Sequence, residues 1–191
     1  MAQDVNNLIW VDLEMTGLDV SQHTILEMAM LITDKDLNVL GQWPAGEAGV
    51  AIYQPDSALE RMNDWSQTAH TGSGLVDRVR ASSMTLKMAE EQALAFIWQY
   101  CPPPSPDRKE ACPLAGNSVS RDRDFLRAYM PALEQYTSYR NVDVSTLKEL
   151  VKRWYPEHQY VKSEIGKHGA MVDILASIDE LRHYRARVFK S

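Results

Sequence analysis

The stretch Leu-Ile-Trp-Val-Asp-Leu-Glu, residues 8–14, changes abruptly from apolar to acidic and decides the fold prediction. Large apolar residues in a row are typical of a buried strand in a sheet that is covered on both faces. Asp12 and Glu14 lie two residues apart, so on a strand both point to one face while their neighbours point to the other, into the core. A glycine turn, Met15-Thr16-Gly17-Leu18, follows at once. Open α/β sheets place ligands at such strand ends, although the acidic pair alone is equally typical of two solvated carboxylates.

Hydrophobic periodicity beyond this strand predicts an α/β domain. Ile25–Thr33 predicts a second central strand, and Leu37–Tyr53, with its three glycines, predicts a third strand interrupted by a turn or bulge. After this three-strand meander, helices alternate with two shorter strands. The remaining predicted elements are the helices Asp56–Ala69, Ser73–Ala81, Met84–Cys101, Arg121–Met130, Ser145–Tyr155 and Ala170–Val188 and the strands Pro113–Gly116 and Asn141–Val144. This order favours a mixed five-stranded sheet flanked by helices.

Length and composition favour a single domain over residues 1–191, with 45% hydrophobic and 24% charged residues. The segment 102–113 contains five prolines and is predicted to be a loop inserted into this domain. Cys101 and Cys112 flank that loop and match no metal or redox spacing. Reduced thiols are therefore favoured over a disulfide that closes the loop.

The net charge of −6, from 20 basic and 26 acidic residues, restricts the partners that the chain can bind. Proteins that hold long nucleic acids neutralise many phosphates with Lys and Arg. A nucleic-acid partner is therefore expected to be short or to be held through bound cations. No apolar run approaches the ~20 residues of a membrane helix, and the N-terminal MAQDVNN has no basic region. We expect a cytoplasmic protein that does not use a membrane.

A third acidic position follows the predicted strand Pro113–Gly116. Asp122 falls in the first turn of a predicted helix, where a carboxylate can also simply complement the helix dipole. Asp124 is an equally plausible capping residue, and spacing alone does not separate the two.

His168 and Asp173 are the only histidine and acid of this chain separated by five residues. On one helix that spacing turns the side chains ~140° apart, so His168 is expected on the loop between Gly166 and Gly169 and Asp173 on the helix that follows. A carboxylate anchored on a helix suits a metal ligand, and a loop histidine suits a general base. The plain alternative is a helix-capping aspartate beside an exposed histidine.

The four carboxylates together make a stronger hypothesis than any one of them. If they cluster, they repel one another, and some stay protonated unless a cation neutralises them. Oxygen ligands favour Mg²⁺ or Mn²⁺ over zinc, for which the sequence offers no Cys/His set. Two such ions ~3.5–4 Å apart can activate a water and stabilise the leaving oxygen of a phosphodiester.

Three motifs resemble those of the DEDDh exonuclease superfamily: D-L-E-M-T-G-L (12–18), N-S-V-S-R-D-R-D-F-L (117–126) and H-G-A-M-V-D-I (168–174). Longer stretches are similar to the oligoribonuclease family within it. They are N-N-L-I-W-V-D-L-E-M-T-G-L-D (6–19), D-V-S-T-L-K-E-L (143–150) and S-I-D-E-L-R-H-Y-R (177–185). The resemblance implies a ribonuclease H-like fold, a homodimer, two Mg²⁺ or Mn²⁺ ions, and 3′→5′ hydrolysis of RNAs of two to a few nucleotides.

The resemblance also implies roles for individual residues. Asp12 would bridge both metals, Glu14 and Asp173 would hold the first, and Asp122 would serve the second. His168 would deprotonate the attacking water. For the bases, the resemblance implies Leu18 as a wedge and Trp65 as a stacking partner, with His70 near the substrate. Tyr139 and Arg140 would reach into the partner subunit's site. The residues implied around the 5′ phosphate are Ser118, Arg140, Ser145 and Thr146.

Each substrate-binding assignment has a plainer alternative. Leu18 and Trp65 could be ordinary core residues, and Ser145 could be the N-cap of the next helix. Arg140 could pair with a surface acid at little energetic gain. These alternatives stay open at the level of the sequence.

The chain departs from the family pattern at several positions. Gly169 follows His168 where members often carry a long side chain, Val172 replaces an acid, and Ser138 replaces a histidine before Tyr139-Arg140. The proline-rich insertion is longer than in compact bacterial relatives. Two rival functions remain: a DEDDh exonuclease acting on longer RNA or DNA 3′ ends, and a non-enzymatic nucleotide-binding protein on the same fold.

Overall fold

A mixed six-stranded sheet forms the centre of the computed structural model, which describes residues 3–161 and 169–189. The strands are β1 (Leu8–Met15), β2 (Ile25–Thr33), β3 (Val39–Trp43), β4 (Val50–Ala51), β5 (Leu114–Gly116) and β6 (Asn141–Asp143). Their order is β3-β2-β1-β5-β6, and β4 also pairs with β2. β1 is antiparallel to β2 and parallel to β5, which is in turn parallel to β6. The predicted α/β class with a mixed, helix-flanked sheet is confirmed.

The interrupted third strand that we predicted over Leu37–Tyr53 consists of two strands. β3 pairs with the second half of β2, and β4 pairs with its first half, at Glu27 and Met28. The glycine-containing stretch between β3 and β4 interrupts the pairing with β2. The sheet therefore has six strands where five were expected.

The helices differ from the prediction mainly at their ends. They are α1 (Asp56–Leu59), α2 (Asp64–Gly72), α3 (Leu75–Ala81), α4 (Leu86–Ile97), α5 (Ser120–Tyr129), α6 (Pro131–Tyr136), α7 (Val144–Trp154) and α8 (Ala170–Arg187), with a 3₁₀ turn at Pro156–His158. The predicted helix Asp56–Ala69 is divided because Asn63 caps a new helix, its side chain accepting the Ser66 N–H at 2.8 Å. The helix α6 was not predicted. It starts at Pro131, where proline is favoured because the first helical turn needs no N–H donor there.

The two faces of the sheet are covered by different helices. Trp10 of β1 packs with α8 residues such as Met171 and Ile174. On the opposite face Val11 packs against α4 and α5, for example against Phe125. Because side chains alternate along a strand, Asp12 and Glu14 share the α8 face. The neighbours Val11 and Leu13 are buried on the other face, as predicted.

A buried hydrogen bond ties β1 to β2 close to the acidic pair. The Trp10 indole Nε1–H donates to Thr33 Oγ1 at 3.0 Å, and both side chains are fully buried. The bond runs diagonally across the antiparallel ladder, in which Trp10 is paired with Leu31 and Thr33 with Leu8. It therefore helps to fix the position of β1, on which Asp12 lies two residues further along the same face.

The insertion between α4 and β5 has no helix or strand, which agrees with its prediction as a loop. Cys101 and Cys112, at its two ends, are buried and free, so the expected reduced thiols are found. A hydrogen bond with Cys112, together with burial, raises the pKa of the Cys101 thiol. Among the described residues, none of the helices combines the length and the apolar composition that a membrane span needs.

Replacing Thr33 with valine should destabilise the fold. The change keeps the shape of the side chain but leaves the buried Trp10 N–H without its acceptor, which costs about 1–3 kcal/mol. Urea unfolding followed by far-ultraviolet circular dichroism measures this loss. The exposed Thr68, on α2, is the matched control, and Thr68→Val should change stability by less than about 0.5 kcal/mol. Equal stability of the two variants would contradict this role of the Trp10–Thr33 bond.

Candidate active site

Three carboxylates meet where β1 ends beside the start of α8. Asp12 and Glu14 lie on β1, and Asp173 lies in the first turn of α8. One oxygen of each lies within 4.8 Å of one oxygen of the other two. All three are partly buried. This is the donor set that a hard divalent cation requires, so these residues fit a metal site.

Asp122 lies beside this group rather than within it. It is 6% exposed, and its Oδ1 accepts the Leu13 N–H at 3.0 Å. Its charge is nevertheless close enough to raise the pKa of Asp12. Asp124, the alternative that spacing could not exclude, is half exposed and pairs with Arg127 at 3.3 Å. The structure thus directs Asp122, and not Asp124, towards β1.

Burial and mutual repulsion shift the titration of the cluster. Burial, followed by the charges of Asp122 and Glu14, raises the pKa of Asp12 well above its ordinary value. Burial, with the charges of Glu27 and Asp173, raises the pKa of Glu14 to about 7. Burial also raises the pKa of Asp122 to about 7, although the Leu13 N–H opposes the shift. Near neutral pH the cluster therefore holds protons that a bound cation would displace.

A further acid, Glu27, adjoins the cluster and was not singled out from the sequence. It is directly opposite Glu14 in the β1–β2 pairing and is 2% exposed. Its carboxylate forms an ion pair with Arg78 of α3, which also donates to the Gly49 carbonyl at 3.2 Å. The available signal was a single charged residue inside an otherwise apolar strand.

His70, predicted near the substrate, lies on α2 against the end of β1. It is 3% exposed, and its Nε2 is 3.0 Å from the Met15 carbonyl oxygen. A carbonyl only accepts, so Nε2 carries the proton and Nδ1 faces Glu14, 3.9 Å away. Burial lowers the pKa of His70. Its placement suits a neutral residue that holds the end of β1 and lines the cleft with its ring edge.

Leu18 and Trp65 are not core residues, so the plainer alternative for both is wrong. They are 66% and 67% exposed. Both line one cleft of about 460 Å³ that also contains Glu14 and His70. Large apolar side chains exposed across a cleft from a carboxylate cluster are suited to flat, partly apolar ligands such as nucleobases.

A second cleft, of about 370 Å³, opens on the other side of Asp12 and Asp173. It brings together two of the predicted phosphate-binding residues, Ser118 and Ser145. The plainer alternative for Ser145, that it is the N-cap of α7, is wrong. That position belongs to Asp143, whose Oδ1 accepts the Ser145 N–H at 3.0 Å and the Ser118 N–H at 3.0 Å.

The second cleft also contains residues that the sequence analysis missed. Lys148 lies one turn after Ser145 on α7, and its Nζ is 3.3 Å from Glu180. Asn117 donates to Glu180 at 3.1 Å and to Ser177 at 2.9 Å, and Ser177 donates to the Asp173 carbonyl at 2.8 Å. These contacts join the β5–α5 loop to α8. The i, i+3 spacing of Ser145 and Lys148 was the signal for the lysine.

Tyr139 and Arg140 lie between α6 and β6, on the surface. Tyr139 is 49% exposed, and the Arg140 guanidinium stacks 4.8 Å from the centre of its ring. Within the described chain neither residue lines the two clefts beside the carboxylates, and neither does the exposed Thr146. The prediction that Tyr139 and Arg140 serve another subunit's site stays a prediction that this placement allows.

His168 falls outside the described residues, so its assignment as a general base stays a prediction. The residue after it, Gly169, is the N-cap of α8 and has an extended backbone. A Cβ at Gly169 would meet no described atom within 4 Å. Packing among the described residues therefore does not require glycine where the family often carries a longer side chain.

The sequence is similar to an exonuclease family and to proteins named oligoribonuclease. Residues 9–181 match the family RNase_T, described as exonuclease. A protein of Shewanella sp. strain ANA-3 named oligoribonuclease is 51% identical over 190 residues, covering 100% of this chain and 99% of its own. An oligoribonuclease of Dichelobacter nodosus is 50% identical over 184 residues, covering 96% of both chains.

Solved structures with a similar fold are distant in sequence. Exonuclease I from Methylocaldum szegediense has a TM-score of 0.66 at 17% identity over 95% of this chain. E. coli exonuclease I in complex with a 5cy-dT13 oligonucleotide has a TM-score of 0.68 at 15% identity over 98% of this chain. This chain spans 41% and 42% of those two proteins. At this identity the likeness shows the fold alone.

The raised pKa values of Glu14 and Asp122 predict how stability depends on pH. Between the ordinary carboxyl pKa and about pH 7, the folded state of the metal-free protein binds more protons than the unfolded state. The free energy of unfolding therefore falls as the pH rises through that window. A cation competes with those protons. At a hundredfold excess over its Kd, Mn²⁺ should raise Tm by about 5–10 °C near pH 8 and by clearly less near pH 5.5.

Thermal denaturation with and without Mn²⁺ at both pH values measures this effect. Asp173→Asn should abolish most of the increase in Tm. Asp179→Asn is the matched control, because Asp179 lies on the same helix but is exposed and pairs with Arg182 at 2.9 Å. An increase that is the same at both pH values, or that persists in Asp173→Asn, would contradict the metal site.

Proposed function

This chain belongs to the oligoribonuclease family of exonucleases, and on that premise we propose that it hydrolyses short RNA from the 3′ end to 5′-mononucleotides. Its substrates are RNAs of two to a few nucleotides. The observation that carries the proposal is the meeting of Asp12, Glu14 and Asp173, with Asp122 adjacent, between two clefts of limited size.

The cofactors of this reaction are two divalent cations, Mg²⁺ or Mn²⁺. Asp12 would be shared by the two ions, Glu14 and Asp173 would hold the first, and Asp122 would serve the second. Bound there, such ions activate the attacking water and stabilise the leaving oxygen. The raised pKa values of Asp12, Glu14 and Asp122 support the assignment, because positive charge near these acids would favour their ionised form.

His168 is the general base in this proposal. In the sequence it directly precedes Gly169, the N-cap of α8, and it comes five residues before Asp173. Its role is to take the proton of the attacking water, a task that suits a group whose ordinary pKa lies near neutrality.

The substrate is proposed to lie across the carboxylates, with a cleft on either side. Leu18 and Trp65 line the cleft of about 460 Å³, where they would wedge between and stack on the bases, with His70 at its edge. Ser118 and Ser145 line the cleft of about 370 Å³, where they would donate hydrogen bonds to the 5′ phosphate. Lys148 adds a positive charge to the same cleft and extends the predicted phosphate-binding set of Ser118, Arg140, Ser145 and Thr146.

A homodimer completes the proposed site. Tyr139 and Arg140 are exposed and stacked on each other, and within the described chain neither lines the two clefts. They would therefore contact substrate bound to the partner subunit. A symmetric dimer places the same pair in both sites.

The alternative is an exonuclease that acts on longer RNA or DNA 3′ ends. Such a protein needs a track of basic residues that follows the phosphates. The net charge of −6 and the small clefts do not favour this reading.

Substrate length should decide between the two activities. A 5′-phosphorylated diribonucleotide fills both clefts, so its kcat/KM should exceed that of an RNA of about twenty nucleotides at least tenfold. Initial rates with purified protein and Mn²⁺, resolved by chromatography of the products, give both values. Faster turnover of the long RNA would overturn the proposed substrate class.

Asp122→Asn and Asp124→Asn form a matched pair on one helix. The amide introduced by Asp122→Asn would keep the hydrogen bond to Leu13 but lose the negative charge, so kcat/KM for the diribonucleotide should fall by about a hundredfold or more. Asp124→Asn removes only an exposed ion pair, and the rate should stay within about twofold. Similar rates in the two variants would remove Asp122 from the proposed mechanism.

A further inference from the structure

The proline-rich insertion of residues 102–113 is anchored to the segment that carries Tyr139 and Arg140. The Arg108 guanidinium donates from Nε to the Thr137 carbonyl at 2.8 Å and from Nη2 to the Glu134 carbonyl at 2.7 Å. It also contacts the Glu134 carboxylate at 3.0 Å and 3.2 Å. Arg108 itself has a left-handed backbone with φ of 56°, which is unfavourable for a side chain with a Cβ and points to a position fixed by its contacts.

A second arginine, Arg123, donates a hydrogen bond to the same Glu134 carboxylate. Arg123 is 5% exposed and donates to Glu134 Oε1 at 2.8 Å, to the Ser138 carbonyl at 2.7 Å and to Asn141 Oδ1 at 2.9 Å. Burial alone would raise the pKa of Glu134, but its contacts with Arg108 and then Arg123 outweigh burial and hold the pKa below its ordinary value. If Arg108 is removed, Arg123 still neutralises the buried acid.

Ser138 completes the connection between the insertion and this segment. Ser138 is 2% exposed, its Oγ donates to the Arg108 carbonyl at 3.1 Å, and the same Oγ accepts the Arg140 N–H at 3.3 Å. Its own N–H donates to the Cys112 carbonyl at 2.9 Å. Two features that set this chain apart from the family pattern, the insertion and the serine at 138, are therefore in direct contact.

We propose that Arg108 is a positioning residue that orients Tyr139 and Arg140 for the partner subunit's site. The inference rests on the proposed function, in which this pair contacts substrate in trans. Arg108 and Arg123 together hold the carbonyl groups of residues 134, 137 and 138, so the backbone that leads into Tyr139 has little freedom. Because the backbone is already fixed, less conformational entropy is lost when the stacked pair binds substrate. A small displacement of substrate-positioning groups lowers the reaction rate strongly.

Arg108→Ala, compared with Lys109→Ala, tests this role. Lys109 is the next residue of the insertion, has the same charge, and is exposed with only Asp107 as its ion-pair partner among the described residues, at 2.9 Å. Arg108→Ala should lower kcat/KM for the 5′-phosphorylated diribonucleotide by about ten- to a hundredfold, and Lys109→Ala should leave it unchanged. Circular dichroism spectra and sedimentation check that both variants fold and assemble. Full activity of Arg108→Ala would overturn the inference.

Mixed dimers separate positioning in trans from damage to the chain that carries the change. Subunits with Arg108→Ala and subunits with Asp12→Asn are co-refolded, and the doubly tagged heterodimer is isolated. In this heterodimer only the Arg108→Ala subunit has an intact Asp12. Its site receives Tyr139 and Arg140 from the Asp12→Asn subunit, whose Arg108 is intact. Activity should therefore return to about half that of the wild-type dimer. Heterodimers that remain as slow as Arg108→Ala alone would overturn the inference.

A parallel heterodimer of Tyr139→Ala with Asp12→Asn separates the role of Arg108 from the placement of Tyr139 in trans. If this heterodimer recovers activity and the Arg108→Ala heterodimer does not, only the role of Arg108 is wrong. If neither recovers, the placement of Tyr139 in trans is wrong, and the inference that rests on it is wrong as well. Hydrolysis of the diribonucleotide by the wild-type protein tests the proposed function independently of both.

Discussion

Repulsion among buried carboxylates is the constraint on which the rest of this structure depends. Asp12 and Glu14 share a face of β1, and Asp122 and Asp173 approach them from two different helices. The fold offsets part of the repulsion before any cation is bound, because both of these aspartates lie in the first turn of a helix, where the dipole favours negative charge. The Leu13 N–H adds a hydrogen bond to Asp122. Burial, together with the repulsion that is not offset, raises the pKa values of Asp12, Glu14 and Asp122, and a bound cation would relieve the repulsion.

Three buried acids outside the cluster differ from it in having basic partners. Glu27, Glu134 and Glu180 are all at most 4% exposed, and each has a basic partner: Arg78, Arg108 with Arg123, and Lys148. Such pairs place a positive charge beside each buried acid and hold segments of the chain together. Asp12, in contrast, has a pKa that is raised by burial and then by its acidic neighbours. This difference separates acids that maintain the architecture from acids that are suited to bind a ligand.

Those parts of the fold and of the candidate site that depend on a hydrophobic period or a local motif could be predicted from the sequence. The period of two in β1 indicated the shared face of Asp12 and Glu14, and the order of elements indicated the mixed sheet. The choice between Asp122 and Asp124 needed the Leu13 contact, which spans more than a hundred residues. The exposure of Leu18 and Trp65 depends on tertiary packing, which residue type alone does not specify. The break before Pro131 was hidden because a proline can both end one helix and begin another.

The parallel pairing of β1 with β5 has a consequence for how the protein is made. Parallel strands need a long crossover, so the carboxylates are separated by most of the chain, and the last of them arrives with α8. During synthesis the face of β1 that carries Asp12 stays uncovered until α8 emerges from the ribosome and docks. Nascent chains in which α8 has not yet docked therefore lack both the finished core and the third carboxylate of the cluster. The full set of carboxylates is brought together only when α8 docks on this face of β1.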